Sequence, residues 1–486
     1  MGAFGLLLLA LALVLMLSTG WPTYLVLLGV CSIGTLVGLA AGGIQLHMLA
    51  ALPGRVIGLL NHDLLQALAI YGLVGALLIR LDLAGNVYGG LRHLLRPALP
   101  RAAAPLSGLL LGALLAPVNG SVGASLMTLA RSTSARWAAD GMPPPRRVAL
   151  VAVASTLGVL IPPSLVLLLL GDAMLRAHTE GLDLARALSL PLAAERIRVI
   201  NTQDVMQAVL PPAALLVAGW LLLCAAGARR DAPRPAGRMS GRERAALLVV
   251  PAALVGLLAL VAAGYVRAVE GAATAGVALL AWGVASRQLT AALLREVLSD
   301  AMVITGVLFA LLLAATTFSL LLRLLGTDRV VADLMSTFSS PRQAVAAVLG
   351  VLLLCAFVLD AFELTFLVVP IVMPALLARV GDAAWVSALV LLVLQLGFLL
   401  PPFGLSVVLA RGHSGTHVPW PALARALLPY LLWLVAVIVM IGAWPAPTRW
   451  LRSAPVHLAP VDAVPNDRVE ELMREMSTKP GAGQPP

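Results

Sequence analysis

Stretches of about twenty apolar residues, the length a helix needs to cross a bilayer, recur along the chain between short polar joints. They run at 4–19, 23–42, 63–81, 102–130, 147–170, 205–226, 245–266, 272–286, 301–322, 343–378, 386–410 and 424–443. The pattern predicts an all-α polytopic membrane protein. Most of the runs read as single spans, and three features do not.

Residues between Arg101 and Arg131 carry no charge, yet Pro117-Val118-Asn119-Gly120-Ser121 in their middle is a helix breaker and a turn. Each arm is then about 13 residues, roughly 20 Å of helix, short of a ~30 Å hydrocarbon core. Both flanks are basic, with Arg92, Arg96 and Arg101 before and Arg131, Arg136, Arg146 and Arg147 after. Positive loops stay in the cytoplasm, so a re-entrant hairpin is expected over 102–130; one kinked span is the alternative. The run 343–378 holds Asp360-Ala361-Phe362-Glu363 near its centre and Pro370 and Pro374 beyond. Two acids on a lipid-facing helix are expensive, and a second hairpin with its tip around 360–363 avoids the cost. Finally, Gly158-Val159-Leu160-Ile161-Pro162-Pro163 is echoed by Gly397-Phe398-Leu399-Leu400-Pro401-Pro402, with Pro402 lying 239 residues after Pro163. The same shift carries Asp360 onto the first hairpin's turn and 301–322 onto 63–81. The chain thus reads as a duplicated unit of span, hairpin and proline-broken helix.

Composition agrees with the membrane reading. Hydrophobic residues make up 60% and charged residues 12%, against roughly 25% charged in soluble domains; mean hydropathy is +0.98. The net charge of +10 is almost all arginine, Lys479 being the sole lysine. These arginines sit in short loops, where they set orientation, so nucleic acid is not an expected partner and membrane lipid is. The first hairpin has basic flanks, whereas Arg323, Asp328, Arg329, Asp333, Arg342, Arg379 and Asp382 nearly balance around the second. The two units are therefore expected to be inverted, joined by a basic cytoplasmic loop at 227–244. Cys31, Cys224 and Cys355 each lie in an apolar run and read as inert thiols. No basic region precedes the run 4–19, which reads as a retained helix rather than a cleaved signal. The tail 446–486, rich in Pro, Glu and Gly, is expected to be disordered.

Non-helical backbone cannot face lipid. Two inverted units, each with a hairpin tip opposite a Pro-Pro break, put four broken ends near the midplane, where half-helix N-termini favour anions and open carbonyls favour cations. That is a place for a carboxylate together with sodium. Asn119, Gly120, Ser121 and Ser125 can offer hard oxygens to an ion or simply make a turn and pack closely. Thr156 and Ser164 flank the first Pro-Pro, as ion ligands or as partners of a freed carbonyl. Asp360 and Glu363 are candidates for sodium or proton coupling, or are solvated at a tip. Pro401 leaves carbonyls open at the second break. Gly404 and Ser406 stand where the helix restarts and its N–H groups can hold an anion. Arg411 reads mainly as the cytoplasmic end of that helix, with a substrate carboxylate as its other reading. Trp420, Trp433, Trp444 and Trp450 read as interfacial anchors. His413 and His417 lie in a loop without a third ligand, so no metal site is expected.

At these residues the chain resembles the large membrane subunit of the tripartite ATP-independent periplasmic (TRAP) transporters. The resemblance rests on Ser155-Thr156-Leu157-Gly158 through Ser164, on Gly171-Asp172, on Asp360 to Glu363 with Pro370 and Pro374, and on Leu394-Gln395 through Pro401-Pro402-Phe403-Gly404. Glu270 to Gly276 and Asp204-Val205-Met206 with Leu210-Pro211 resemble further family stretches. The acidic second hairpin and the Pro-Pro-Phe-Gly form are most similar to the mannitol, chloroaromatic or small-organic-acid branch. The resemblance implies sodium-driven, elevator-type uptake of a small organic anion across a bacterial inner membrane, without ATP. A periplasmic solute-binding protein would deliver substrate, and a small four-helix membrane subunit would brace the scaffold. No cofactor beyond sodium ions is implied. The implied division is scaffold helices at 1–62, a first repeat at 63–226 with broken helix 147–170, scaffold helices at 245–300, and a second repeat at 301–445 with broken helix 386–410. Leu400 stands where the family usually has Thr, which removes a hydroxyl from the second break. The tip Asn119 to Gly123 keeps part of the family's Ser/Gly run, and the segment around 177–200 is longer than usual.

Rival readings are a stand-alone dicarboxylate or citrate carrier, a membrane scaffold without transport, and an intramembrane enzyme. The last needs a nucleophile–base pair or a ligand cluster on facing helices, and none stands out, so no enzymatic activity is expected.

Overall fold

The computed structural model describes residues 2–42, 45, 47, 50–60, 63–81, 83–117, 121–162, 164–187, 200–228 and 239–451, and these fold into helices and short joints. The central part of the arginine loop (229–238), the segment 188–199 and the tail from 452 lie outside the described residues.

The first part of the chain runs α1 (Gly2–Thr19), α2 (Thr23–Ala40), α3 (Ala51–Leu60), α4 (Asp63–Arg80) and α5 (Leu83–Leu95). The hairpin arms α6 (Ala103–Leu115) and α7 (Val122–Ala139) follow, then α8 (Pro144–Thr156), α9 (Leu165–Ala187) and α10 (Thr202–Gly227). After the arginine loop come α11 (Gly241–Ala262), α12 (Ala268–Ala285), α13 (Ala291–Leu324) and α14 (Thr327–Ser336). The second hairpin is α15 (Pro341–Cys355), then α16 (Ala361–Glu363) joined to α17 (Val369–Leu377) by a wide π turn. The chain continues through α18 (Ala383–Leu399), α19 (Leu405–Gly412) and α20 (Trp420–Ala443). Six of the described helices are long and apolar enough to cross a membrane, or seven if α3 and α4, bent by 48°, form one span.

Helix starts are written locally. Asn201 accepts from Asp204 N at 2.7 Å at the head of α10, and Ser240, Thr290, Ser340 and Asp382 cap α11, α13, α15 and α18 in the same way.

Several elements exceed the apolar runs. α7 continues to Ala139, α9 to Ala187, and α13 begins at Ala291, ten residues before its run. Three helices, α3, α5 and α14, occupy stretches without a bilayer-length run. Hydropathy marks only what lipid requires, and a helix goes on wherever capping and packing sustain it. The polar start of α13 does this through Arg80 at the end of α4, which pairs with Asp300 at 2.8 Å and with Glu296.

Around α4 pack α12 and α13, and α2 packs on α13. The two broken helices are interleaved: α9 runs along α17, and α19 lies on α7 and α8. Thus the second half of each broken helix rests on the hairpin of the other unit. At Gly181 of α9 an added Cβ would sit 2.8 Å from the Pro374 carbonyl, so the close approach of α9 and α17 requires glycine. Two aromatic residues stitch α20 to its neighbours: Trp220 Nε1 donates to Tyr430 O at 3.0 Å, and Trp433 Nε1 to Leu215 O at 3.3 Å. Trp433 also lies against Gly219, so it packs between α10 and α20.

Candidate functional site

The two hairpins break differently. In the first, α6 ends at Leu115 and α7 restarts at Val122. Ser121 caps α7, its hydroxyl accepting from Ala124 N at 3.1 Å. The fully buried Ser125 hydroxyl lies 2.8 Å from Ser121 O and 3.3 Å from Ala116 O, tying the two arms together. Asn119 and Gly120 lie outside the described residues. In the second hairpin the break falls at 356–360, ending on Asp360, whereas the sequence placed the tip around 360–363. There Asp360 and Glu363 form a capping box: Asp360 Oδ1 accepts from Glu363 N and Glu363 Oε2 from Asp360 N, both at 2.8 Å. The Thr23 hydroxyl at the start of α2 donates to the other Glu363 oxygen. Both acids are half-buried.

The broken helices differ in detail. α8 tightens into a 3-10 turn over Leu157–Val159 before Pro162, with Pro163 outside the described residues. The chain restarts at Leu165, where Ser164 accepts from Leu167 N at 3.5 Å. α18 stops at Leu399, and Gly404 N bonds back to Leu400 O at 2.9 Å before α19 begins. The first N–H groups of α9 and α19 have no helical acceptor. A Cβ at Gly404 would lie 2.8 Å from Phe398 C and 2.9 Å from Leu400 N, so only glycine fits that turn.

Five contacts bring these pieces together. A side chain at Gly158 would collide with the Ala116 carbonyl at the first hairpin, and one at Gly397 with Ala356 at the second. Phe357 at the second tip and Phe403 at the second break meet edge to face, 6.1 Å between centroids. Across the two units, Gln395 Nε2 donates to Thr156 Oγ1 at 3.1 Å. The Ser155 and Ser406 hydroxyls stand 2.8 Å apart, each within 2.9 Å of Ala152 O. All four side chains are fully buried. Gln395 Oε1 is buried without a hydrogen-bond partner among the described residues. No lysine or arginine occurs within 116–125, 155–165, 356–365 or 395–407. Neutral oxygens and two acids furnish the region.

A model of the family described as "Tripartite ATP-independent periplasmic transporter, DctM component" matches residues 6–446. The chain belongs to that family. It is a multi-pass membrane protein of a transporter family, not of an enzyme family. The sialic acid TRAP transporter permease protein SiaT of Haemophilus influenzae is 25% identical over 147 residues, 30% of this chain and 24% of that protein, so the match spans about a quarter of the relative. In fold, the permease resembles the crystal structure of the Alcanivorax borkumensis YdaH transporter, with a TM-score of 0.58 at 16% identity, covering 84% of this chain and 90% of that one.

The structure brings Thr156 and Ser406 into one buried cluster and sets Ser125, bonded to Ser121 O, beside Ala116, which abuts the first break. Ser164 lies at the head of α9, while Asp360 and Glu363 cap the second hairpin beside its tip. Gln395 and Ser155 were not among the candidates. Their signal was nevertheless present: Gln395 lies 239 residues after Thr156, the interval between the two Pro-Pro pairs. Arg411 stacks 4.3 Å from the Trp420 ring and donates to Val418 O at 2.9 Å.

Proposed function

We propose that this chain is the permease subunit of a secondary, sodium-coupled TRAP uptake system for a small organic anion, a carboxylate, delivered by a periplasmic solute-binding protein. The observation that carries the reading is the buried cluster of Thr156, Gln395, Ser155 and Ser406 joining the two helix breaks, with an unpartnered amide oxygen in it. Hard neutral oxygens suit sodium, and open N–H groups at the restarts of α9 and α19 suit a carboxylate. Ion ligands would come from Asn119, Gly120, Ser121, Ser125, Thr156, Asp360, Glu363 and the backbone at Pro401. Substrate would meet Ser164, Gly404 and Ser406.

In this reading the two units are inverted repeats, 63–226 and 301–445, moving as an elevator against scaffold helices at 1–62 and 245–300. A small four-helix subunit braces that scaffold in a bacterial inner membrane. The partial relative's name specifies an acid, which agrees with an anionic substrate, and Pro401-Pro402-Phe403-Gly404 favours the mannitol, chloroaromatic or organic-acid branch. Vesicles holding the permease with its small subunit, given a sodium gradient, binding protein and candidate acids, test the proposal. Uptake requiring both sodium and the binding protein is expected. Uptake without the binding protein would make it a stand-alone carrier, and none under any gradient would leave a scaffold.

A further inference from the structure

A cavity of about 340 Å3 lies between α11 and α12 and reaches α4, α5 and the last turn of α6. Its walls are apolar apart from two residues. The Thr274 hydroxyl is bonded to Glu270 O at 2.8 Å. Trp282 Nε1 is buried and has no hydrogen-bond partner among the described residues. A buried donor without an acceptor is costly, and in hydrocarbon no bulk water relieves it. One wall, α11, is long and apolar enough to cross a membrane, and exposes Leu248, Val249, Val255 and Leu260.

The Trp282 end of the cavity is also its charged end. Gly283 near the end of α12 lies close to Leu81, just past α4, and Gly90 of α5 packs on Leu247 near the head of α11. Arg242 and Arg244 at the head of α11 and Arg287, five residues after Trp282, are exposed. Arg287 has φ 56°, a left-handed conformation at a helix end where glycine is favoured. These arginines flank the expected cytoplasmic face. From apolar depth to rim, the order is hydrocarbon cavity, one hydrogen-bond donor, then guanidinium groups.

We propose that this cavity is a binding site for a glycerophospholipid of the cytoplasmic leaflet. One acyl chain fills the apolar space, its ester carbonyl accepts from Trp282 Nε1, and the phosphate meets Arg287 with Arg242 or Arg244. The chain would touch Leu115, next to the first hairpin's break, so the hairpin arm borders lipid there.

The full chain in nanodiscs containing phosphatidylglycerol with a diazirine-bearing acyl chain, cross-linked and mapped by peptide, tests this. Labelling of peptides spanning 249–260 and 274–282 is expected to exceed labelling of α1 and α2 several-fold. Gly256→Leu fills the cavity where an added Cβ meets no atom within 4 Å, and is expected to abolish the excess. Trp282→Phe keeps the ring and is expected to reduce phospholipid retained in native mass spectra several-fold. Arg287→Gln is expected to erase preference for phosphatidylglycerol over a neutral diacylglycerol. Equal labelling on α11, α12, α1 and α2, unchanged by Gly256→Leu, would mean annular lipid only and overturn the proposal. So would a retained molecule that is not a phospholipid.

Discussion

Gln395 Nε2 donates to Thr156 Oγ1 across 3.1 Å, a bond between fully buried side chains 239 residues apart. The same interval separates the two Pro-Pro pairs. Equivalent positions of two copies touch only where the axis relating them passes, so in the proposed two-fold arrangement this bond marks the axis. It also ties the helix before one break to the helix before the other.

Removing that bond should weaken the fold and the transport step together. Gln395→Leu and Thr156→Val are each expected to lower stability by about 1–2 kcal/mol. The double variant should cost about as much as either single change, because both delete one interaction. Thermal unfolding in detergent and sodium-driven uptake measure the two effects, and strict additivity would contradict a shared bond.

The two glycine contacts should respond differently to repair. Gly397→Ala and Gly158→Ala are each expected to cost about 1–3 kcal/mol through overpacking. At Gly397 the obstacle is the Ala356 methyl, and its Cα is 3.6 Å away, so adding Ala356→Gly should restore stability. At Gly158 the obstacle is the Ala116 carbonyl, and Ala116→Gly should not rescue. Unfolding midpoints of the four variants decide this.

Capping and charge can be separated at the second hairpin. Asp360→Asn keeps the cap, and stability should change by less than ~0.5 kcal/mol, whereas Asp360→Ala should lose ~1 kcal/mol. If the carboxylate serves ion coupling, both variants lose sodium-dependent uptake. Unchanged uptake by Asp360→Asn would leave the acid as a cap alone.

Arg411→Gln should cost about 0.5–1 kcal/mol by losing its stack on Trp420, with the half-saturating substrate concentration unchanged. A large rise in that concentration would return Arg411 to the substrate.

At Leu400 the missing hydroxyl should be restorable. Leu400→Thr is expected to lower the sodium concentration for half-maximal uptake, since it adds one oxygen ligand at the second break.

The sequence alone determined the membrane class, the breaks near Pro117 and Pro401, and the 239-residue echo. Each is a local property: apolar length, a missing backbone N–H, or a turn-forming residue acts within a few positions. Tertiary structure decided the partnerships. It joined Gln395 to Thr156 and Ser155 to Ser406, brought the Thr23 hydroxyl to the Glu363 carboxylate, and set Trp433 against Gly219 in the α10–α20 contact. Such pairings depend on how helices far apart in the chain pack in three dimensions, and no window of neighbouring residues contains that information.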